Sequence, residues 1–340
     1  MESVKLTHYD AVPPGLLDLP ASRLGEVLPG PALIHLPGRR TPPLFVSVLL
    51  HGNEDTGWLA AQSVLQKYAG AELPRALSLY IGNVAAARSG VRRLDGQPDY
   101  NRVWPGSEEP DSAEAAMMQQ VVDTMRARGV FASLDIHNNT GLNPHYACVN
   151  RLEPHFLHLA TLFSRIVVYF IRPLGVQSAA FAELCPSVTL ECGKPGTPGS
   201  VEHAAAFMEA CLHLSEFPVH PVAPHDIDLF HTVATVKLPD TVSFGFDVPD
   251  ADIDFAPALD HFNFRELTHR DVWGQIRQGS AARLQALNER GEDIGDRLFE
   301  YRGGGITLAK SLMPAMLTLD ERVIRQDCLC YLMERIGMPG

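Results

Sequence analysis

Residues 44–50, Leu44-Phe45-Val46-Ser47-Val48-Leu49-Leu50, form a nearly continuous apolar run rich in β-branched and bulky side chains. A strand of this kind has no polar face for water, so it must be covered on both sides, as in a sheet with helices above and below it. The run leads directly into His51-Gly52-Asn53-Glu54, so polar residues begin where the strand ends. The pattern then repeats. Strands are predicted at Ala32–Leu36, Leu77–Asn83, Val130–Ile136, Arg165–Ile171 and Ser187–Leu190. Between them lie predicted helices: Thr56–Tyr68, with Trp58, Ala61, Leu65 and Tyr68 near one face; Ala113–Arg128, capped by Asp111-Ser112 and ended by Gly129; and Ser200–Leu214. Alternation of this kind predicts an α/β fold, a mixed, mostly parallel sheet with helices on both faces and functional residues in the loops at strand ends.

Past Pro218 the texture changes. Residues 219–280 carry many prolines and aspartates, and Thr235–Leu238 and Val242–Phe246 alternate as antiparallel strands do. Asp271–Arg290 has helical spacing, and a final helix is predicted near Cys328–Ile336. The chain therefore divides at residue 218, into a first domain of residues 1–218 and a smaller β-rich domain of residues 219–340 placed to cap a cleft in the first.

Composition narrows the partners. With 28 Lys and Arg against 40 Asp and Glu, the net charge of −12 opposes binding to nucleic acid or to anionic membranes. No apolar run approaches the roughly 20 residues of a membrane span. The N-terminal stretch from Met1 lacks the apolar core of a secretion signal, and the six cysteines form no framework, so a reducing, cytoplasmic setting is expected. Self-association into a homo-oligomer is left open.

Three strand ends carry the chemistry. His51 and Glu54 put an imidazole and a carboxylate, both donors that zinc accepts, beyond the first apolar strand. The strand Val130–Ile136 delivers His137, with Asp135 two residues earlier on the same side, where it would orient the ring. Two His and one Glu leave a fourth position free, the mark of a catalytic rather than a structural zinc. Glu191 ends the strand Ser187–Leu190, where a carboxylate is costly unless it is a general base or pairs with Lys194. Finally Arg88, Arg92, Arg93 and Arg102 cluster in an otherwise acidic chain. They form either an anion site or a solvated loop paired with Asp95 and Asp99.

Taken in order, His51-Gly52-Asn53-Glu54, Gly90-Val91-Arg92, Asp99-Tyr100-Asn101-Arg102, Asp135-Ile136-His137 and Thr189-Leu190-Glu191-Cys192-Gly193 resemble the motifs of the succinylglutamate desuccinylase/aspartoacylase family, within the zinc carboxypeptidase clan. The resemblance spans about residues 40–200 and implies a zinc carboxypeptidase-like fold. It also implies one zinc per chain on His51, Glu54 and His137, Glu191 as general base, Arg92 polarising the scissile carbonyl, and Asn101 with Arg102 holding a substrate α-carboxylate. Two extra residues around Gln97-Pro98 leave open whether Arg92 or Arg93 faces the carbonyl. Asn138, just after the third ligand, is a further candidate for the substrate pocket. Aspartoacylase-like members carry an arginine shortly before the general base for a second substrate carboxylate. Here that position falls on Phe181, an apolar candidate pocket residue that cannot pair a carboxylate, so acetylaspartate and succinylglutamate are not the expected substrates.

The resulting expectation is a zinc-dependent amidohydrolase acting on a small anionic substrate, an N-acyl amino acid or a related carboxylate-bearing amide. The alternatives are a metallocarboxypeptidase acting on short or modified peptides and a non-catalytic binding protein on the same fold.

Overall fold

The computed structural model describes residues 5–337; residues 1–4 and 338–340, including part of the N-terminal stretch read for a secretion signal, lie outside the described residues. In chain order the strands are β1 (Thr7–Tyr9), β2 (Ala32–Leu36), β3 (Leu44–Val48), β4 (Leu77–Ile81), β5 (Ala132–His137), β6 (Tyr146–Val149), β7 (Ile166–Tyr169), β8 (Ser187–Glu191) and β9 (Asp228–Lys237). They continue with β10 (Phe244–Phe246), β11 (Ile253–Phe255), β12 (Gly274–Ile276), β13 (Gln285–Leu287), β14 (Phe299–Arg302), β15 (Gly305–Leu308), β16 (Met313–Ala315) and β17 (Cys330–Arg335). The helices are α1 (Thr56–Lys67), α2 (Val84–Ser89), α3 (Ala113–Arg128), α4 (Pro154–Phe163), α5 (Gln177–Phe181), α6 (Ser200–His213), α7 (Gly295–Leu298) and α8 (Glu321–Gln326).

A single large sheet has the order β1-β2-β4-β3-β5-β8-β6-β7-β9-β17-β16, with β13 added on β9. Its centre, β4-β3-β5-β8, is parallel, and antiparallel pairs occur at β2 with β4 and at β6 with β8. The apolar run at β3 is buried at every position, and the two-residue period of a strand divides its side chains between the faces. Leu44, Val46 and Val48 join a core built with α1, α4 and α6, whereas Phe45 joins Tyr80, the methionines of α3 and Phe181 of α5 on the other face. Helices thus cover both faces, as the unbroken hydrophobicity of the strand requires.

The large sheet continues past residue 218, since β9, β17 and β16 extend it. A second sheet, β10-β11-β12-β15-β14, encloses a further core running from Ala234 to Leu332. β10 pairs in parallel with β11, and the other pairs of this sheet are antiparallel.

Three local readings of the C-terminal region are corrected. Val242–Phe246, read as an antiparallel strand, holds β10, whose one pairing, with β11, is parallel. Asp271–Arg290, predicted as helical, holds strands β12 and β13. Gly274 packs so closely on β11 that a Cβ there would lie 2.4 Å from the Asp254 carbonyl oxygen, and Gly279 takes φ +84°, which ends any helix. The final helix predicted at Cys328–Ile336 is strand β17, and the helix there is α8, a few residues earlier. β17 lies between β9 and β16, and this central position overrides the mild helix propensity of Cys-Tyr-Leu-Met-Glu-Arg. Short apolar elements without clear periodicity, namely β6, α2, α4 and α5, are not distinguished by the sequence pattern.

Phe181 also departs from expectation. It is fully buried, stacked on Phe45 with ring centroids 4.2 Å apart and edge-on to Trp104, and is not among the residues that line the cavity at the carboxyl ends of β3, β5 and β8. Phe181→Ala should therefore cost about 3–5 kcal/mol, read by denaturant unfolding. A loss below about 1 kcal/mol would place the ring outside the core.

Candidate metal centre

Strands β3, β5 and β8 run parallel and in step: Val48 lies opposite Ile136, Ile136 opposite Leu190, and His137 opposite Glu191. Their carboxyl ends therefore finish at one level, the place where open α/β sheets carry ligands. His137 and Glu191 are the last residues of their strands, whereas His51 and Glu54 follow β3 through a tight turn. Leu49 takes φ +57° in that turn, and Gly52 meets the backbone of α2, where a Cβ would lie 2.2 Å from the Ala86 carbonyl carbon. Only glycine fits this approach.

The Glu54 carboxylate joins the two imidazoles. Oε1 lies 2.8 Å from His51 Nδ1 and Oε2 lies 2.7 Å from His137 Nδ1. Ligand atoms of His51, Glu54 and His137 all lie within 4.8 Å of one another, and all three residues are buried. Behind them the Nε2 atoms face carboxylates, His51 on Asp99 at 3.0 Å and His137 on Asp135 at 2.9 Å. The Asn138 backbone N–H donates to Glu54 Oε2 at 3.2 Å.

This donor set fits a metal ion. With both Nε2 hydrogens donated to Asp99 and Asp135, the neutral rings turn Nδ1 lone pairs toward the Glu54 oxygens. Such a group of acceptors is repulsive until protons or a cation occupy it. Electrostatics point the same way. Burial disfavours the Glu54 charge, yet the His51 and His137 rings overcome it and hold the carboxyl well below the usual range. Burial likewise works against a charged His137, but Asp135 and Glu54 outweigh it and hold its pKa well above the ordinary value.

Glu191 behaves differently. Burial pushes its carboxyl up to about 8, with the neighbouring Glu54 charge adding to the rise and His137 opposing it. Its Oε2 accepts a hydrogen bond from Asn139 Nδ2 at 3.3 Å. Lys194 makes its ion pair with Asp260 at 3.3 Å, so Glu191 is left without a lysine partner. A buried carboxylate held near neutrality beside a metal-ligand group is suited to moving protons.

The arginine segment separates into different roles. Arg92 lines the same cavity as the metal group, with Nη1 3.8 Å from Glu54 Oε1, whereas Arg93 turns away to donate to the Gln97 carbonyl at 2.6 Å and does not line it. Arg102 and Asn101 both line it. Asn101 is held by the Gln177 backbone N–H on its Oδ1 and lies 3.2 Å from His137 Nε2. Asn138 lines the cavity too, but its side chain is engaged with the Thr56 N–H and the Gly193 carbonyl, so it fixes the turn rather than presenting free donors.

Asp327 and Tyr331, which the sequence pattern did not single out, complete the wall. Asp327 accepts from Arg102 Nη2 at 2.8 and 3.0 Å and from Arg92 Nη2 at 3.2 Å. No local signal marks it, because its partner Arg102 is 225 positions away in the chain.

The model of the succinylglutamate desuccinylase/aspartoacylase catalytic domain matches residues 40–215, just over half of the chain. The chain belongs to this family. The family's name joins a desuccinylase and an acylase, both hydrolases that remove an acyl group. No curated protein matches the sequence. Among solved structures, succinylglutamate desuccinylase from Chromobacterium violaceum superposes with a TM-score of 0.57 at 16% identity, covering 89% of this chain and 87% of that one. The Vibrio parahaemolyticus enzyme of the same name gives 0.59 at 15% identity, covering 88% and 84%. Murine aminoacylase 3 gives 0.57 at 15% identity, covering 88% and 98%. At these identities the likeness is one of fold, and this member's desuccinylase/aspartoacylase fold includes the C-terminal sheet region.

The Asp135 carboxylate behind His137 makes the donor set testable. Asp135→Asn should weaken zinc affinity about 10–100-fold in a competition titration with a chromogenic chelator. Unchanged affinity would remove His137 from the metal group.

Proposed function

We propose that this family member is a zinc-dependent hydrolase that cleaves the amide bond of an N-acyl amino acid or a related small carboxylate-bearing amide. The observation that carries the reading is the placement of Glu191, a buried carboxyl raised to about 8, beside His137 and in one cavity with His51, Glu54, Arg92 and Arg102. Two imidazoles and one carboxylate suit zinc with a position left open.

When bound, the zinc ion supplies a Lewis acid that lowers the pKa of water and polarises a carbonyl. Glu191 takes the proton of the attacking water on its carboxylate and returns it to the leaving amine nitrogen. Arg92 has Nε and Nη2 engaged by Asp99, while Nη1 makes no hydrogen bond among the described residues and faces Glu54. That N–H edge is the donor for the developing oxyanion. Asn101 and Arg102 hold the substrate's carboxylate and so fix the amide relative to Glu191.

The smaller C-terminal part, residues 219–340, acts in this reading as the cap. Support comes from Met316, Val323, Asp327, Tyr331 and Met333, which line the cavity from this part of the chain and narrow it in favour of a small amide over a longer peptide. The six cysteines are buried free thiols, and among the described residues no helix is long and apolar enough to cross a membrane. The buried free thiols support a reducing, cytoplasmic setting, and the net charge of −12 favours a small organic anion over nucleic acid as partner.

Glu191→Gln should abolish hydrolysis across a panel of N-acyl amino acids while zinc content stays near that of the wild type, measured by turnover and metal analysis on the same sample. Arg92→Ala should lower kcat about 100–1000-fold. A fully active Glu191→Gln variant would overturn the role of this carboxyl and with it the reading.

A further inference from the structure

Three cationic side chains line the cavity, Arg92, Arg102 and Arg172, and the protein itself already supplies each with an acidic partner. Arg92 donates to Asp99 and Asp327, and Arg102 donates to both oxygens of Asp327. Arg172 donates from Nη1 to Glu108 at 2.7 Å and from Nε to the Glu289 carbonyl at 2.8 Å. The Asp327 pairs are sheltered: the carboxylate is 19% exposed, Arg92 12% and Arg102 25%. A carboxylate from α8's C-terminal end therefore occupies the arginines where an acidic ligand would bind.

The donors that remain are few. A guanidinium has five N–H groups. On Arg102, Nη2 is engaged by Asp327, and Nη1 donates to the Asn101 carbonyl at 2.8 Å. The Nε–H and the second Nη1–H of Arg102 make no hydrogen bond among the described residues; they lie on opposite edges of the guanidinium, so a ligand carboxylate meets single N–H donors there rather than a free fork. The lining also includes an apolar set, Val168, Phe170, Val176, Met316 and Met333, alongside the hydroxyl-bearing Tyr146, Thr189 and Thr232, none of which carries a positive charge. A second carboxylate directed there would meet no unpaired cation, lose its hydration and approach Asp327, a like charge.

We infer that the site selects an amide that carries one carboxylate and is otherwise apolar, and that Asp327 is the residue that excludes a second carboxylate. This deepens the hydrolase reading above and rests on it for the reaction, but ligand selection itself is a matter of binding. An apolar acyl group or side chain gains by leaving water for the wall of Val168, Phe170 and Met333, whereas a dicarboxylic amide must compete with Asp327 for Arg102.

The test uses zinc-loaded full-length protein. Binding of N-acetylleucine, N-acetylphenylalanine, N-acetylaspartate and N-succinylglutamate is measured by calorimetry on the Glu191→Gln variant, and hydrolysis of the same four on the wild type. The apolar monocarboxylates should bind at least about tenfold tighter than the dicarboxylates and be hydrolysed with kcat/KM at least about 100-fold higher. Dicarboxylates that bind or react as well as the apolar ligands would overturn the inference. If no amide is hydrolysed, the hydrolase reading fails while the binding order still decides the selection. Asp327→Asn, with Asp327→Ser as a second variant if the first melts early, should raise N-acetylaspartate affinity at least about tenfold relative to N-acetylleucine. An unchanged ratio would show that Asp327 does not set the selection.

Discussion

The Glu54 carboxylate, spanning from His51 to His137, is the contact on which the rest of the site depends. A buried carboxylate without partners is expensive, and this one is stabilised from several directions at once: two imidazoles, the Asn138 backbone N–H and the nearby Arg92. Those partners come from different strands and loops, and they meet only because β3, β5 and β8 end at one level. Asp99 and Asp135 then fix the ring orientations from behind, so the carboxylate network sets which nitrogen of each histidine faces the centre.

The same parallel register explains why much of the site was legible in the sequence. A run buried on both faces marks a central strand, and in an α/β sheet the residues just beyond such strands sit together, so His51, Glu54, His137 and Glu191 stood out by position as well as by type. What was not legible depends on long-range packing. Asp327 is brought to Arg102 by β17 pairing with β9, and nothing in Asp327-Cys328-Leu329-Cys330 announces it. Phe181 shows the opposite failure. Counting back from Glu191 assumes a fixed connection, but α5 turns this ring into the core against Phe45, while Arg172, nine positions earlier, lines the cavity together with Arg92 and Arg102. The composition of Cys330–Arg335 suits a helix, and only its place between two strands decides otherwise.

The arginine segment admitted two readings, an anion site or a loop paired with its own aspartates, and elements of both are present. Arg92 pairs with Asp99 as the second reading has it, yet it does so inside the cavity with one edge turned to the metal group. Asp95, by contrast, pairs on the surface with Arg322 of α8. The acidic character of the whole chain thus reaches into the site, where Asp99 and Asp327 offset the charge of Arg92 and Arg102. A cleft balanced in this way offers a carboxylate ligand directed hydrogen bonds more than net positive potential.

The central claim is that Nδ1 of His51, Nδ1 of His137 and the Glu54 carboxylate form one metal site. Anomalous diffraction at the zinc edge from crystals of the zinc-loaded protein tests it most directly. One peak per chain is expected, about 2.0–2.2 Å from those three donors. A peak on the Nε2 atoms, or no peak beside Glu54, would contradict it.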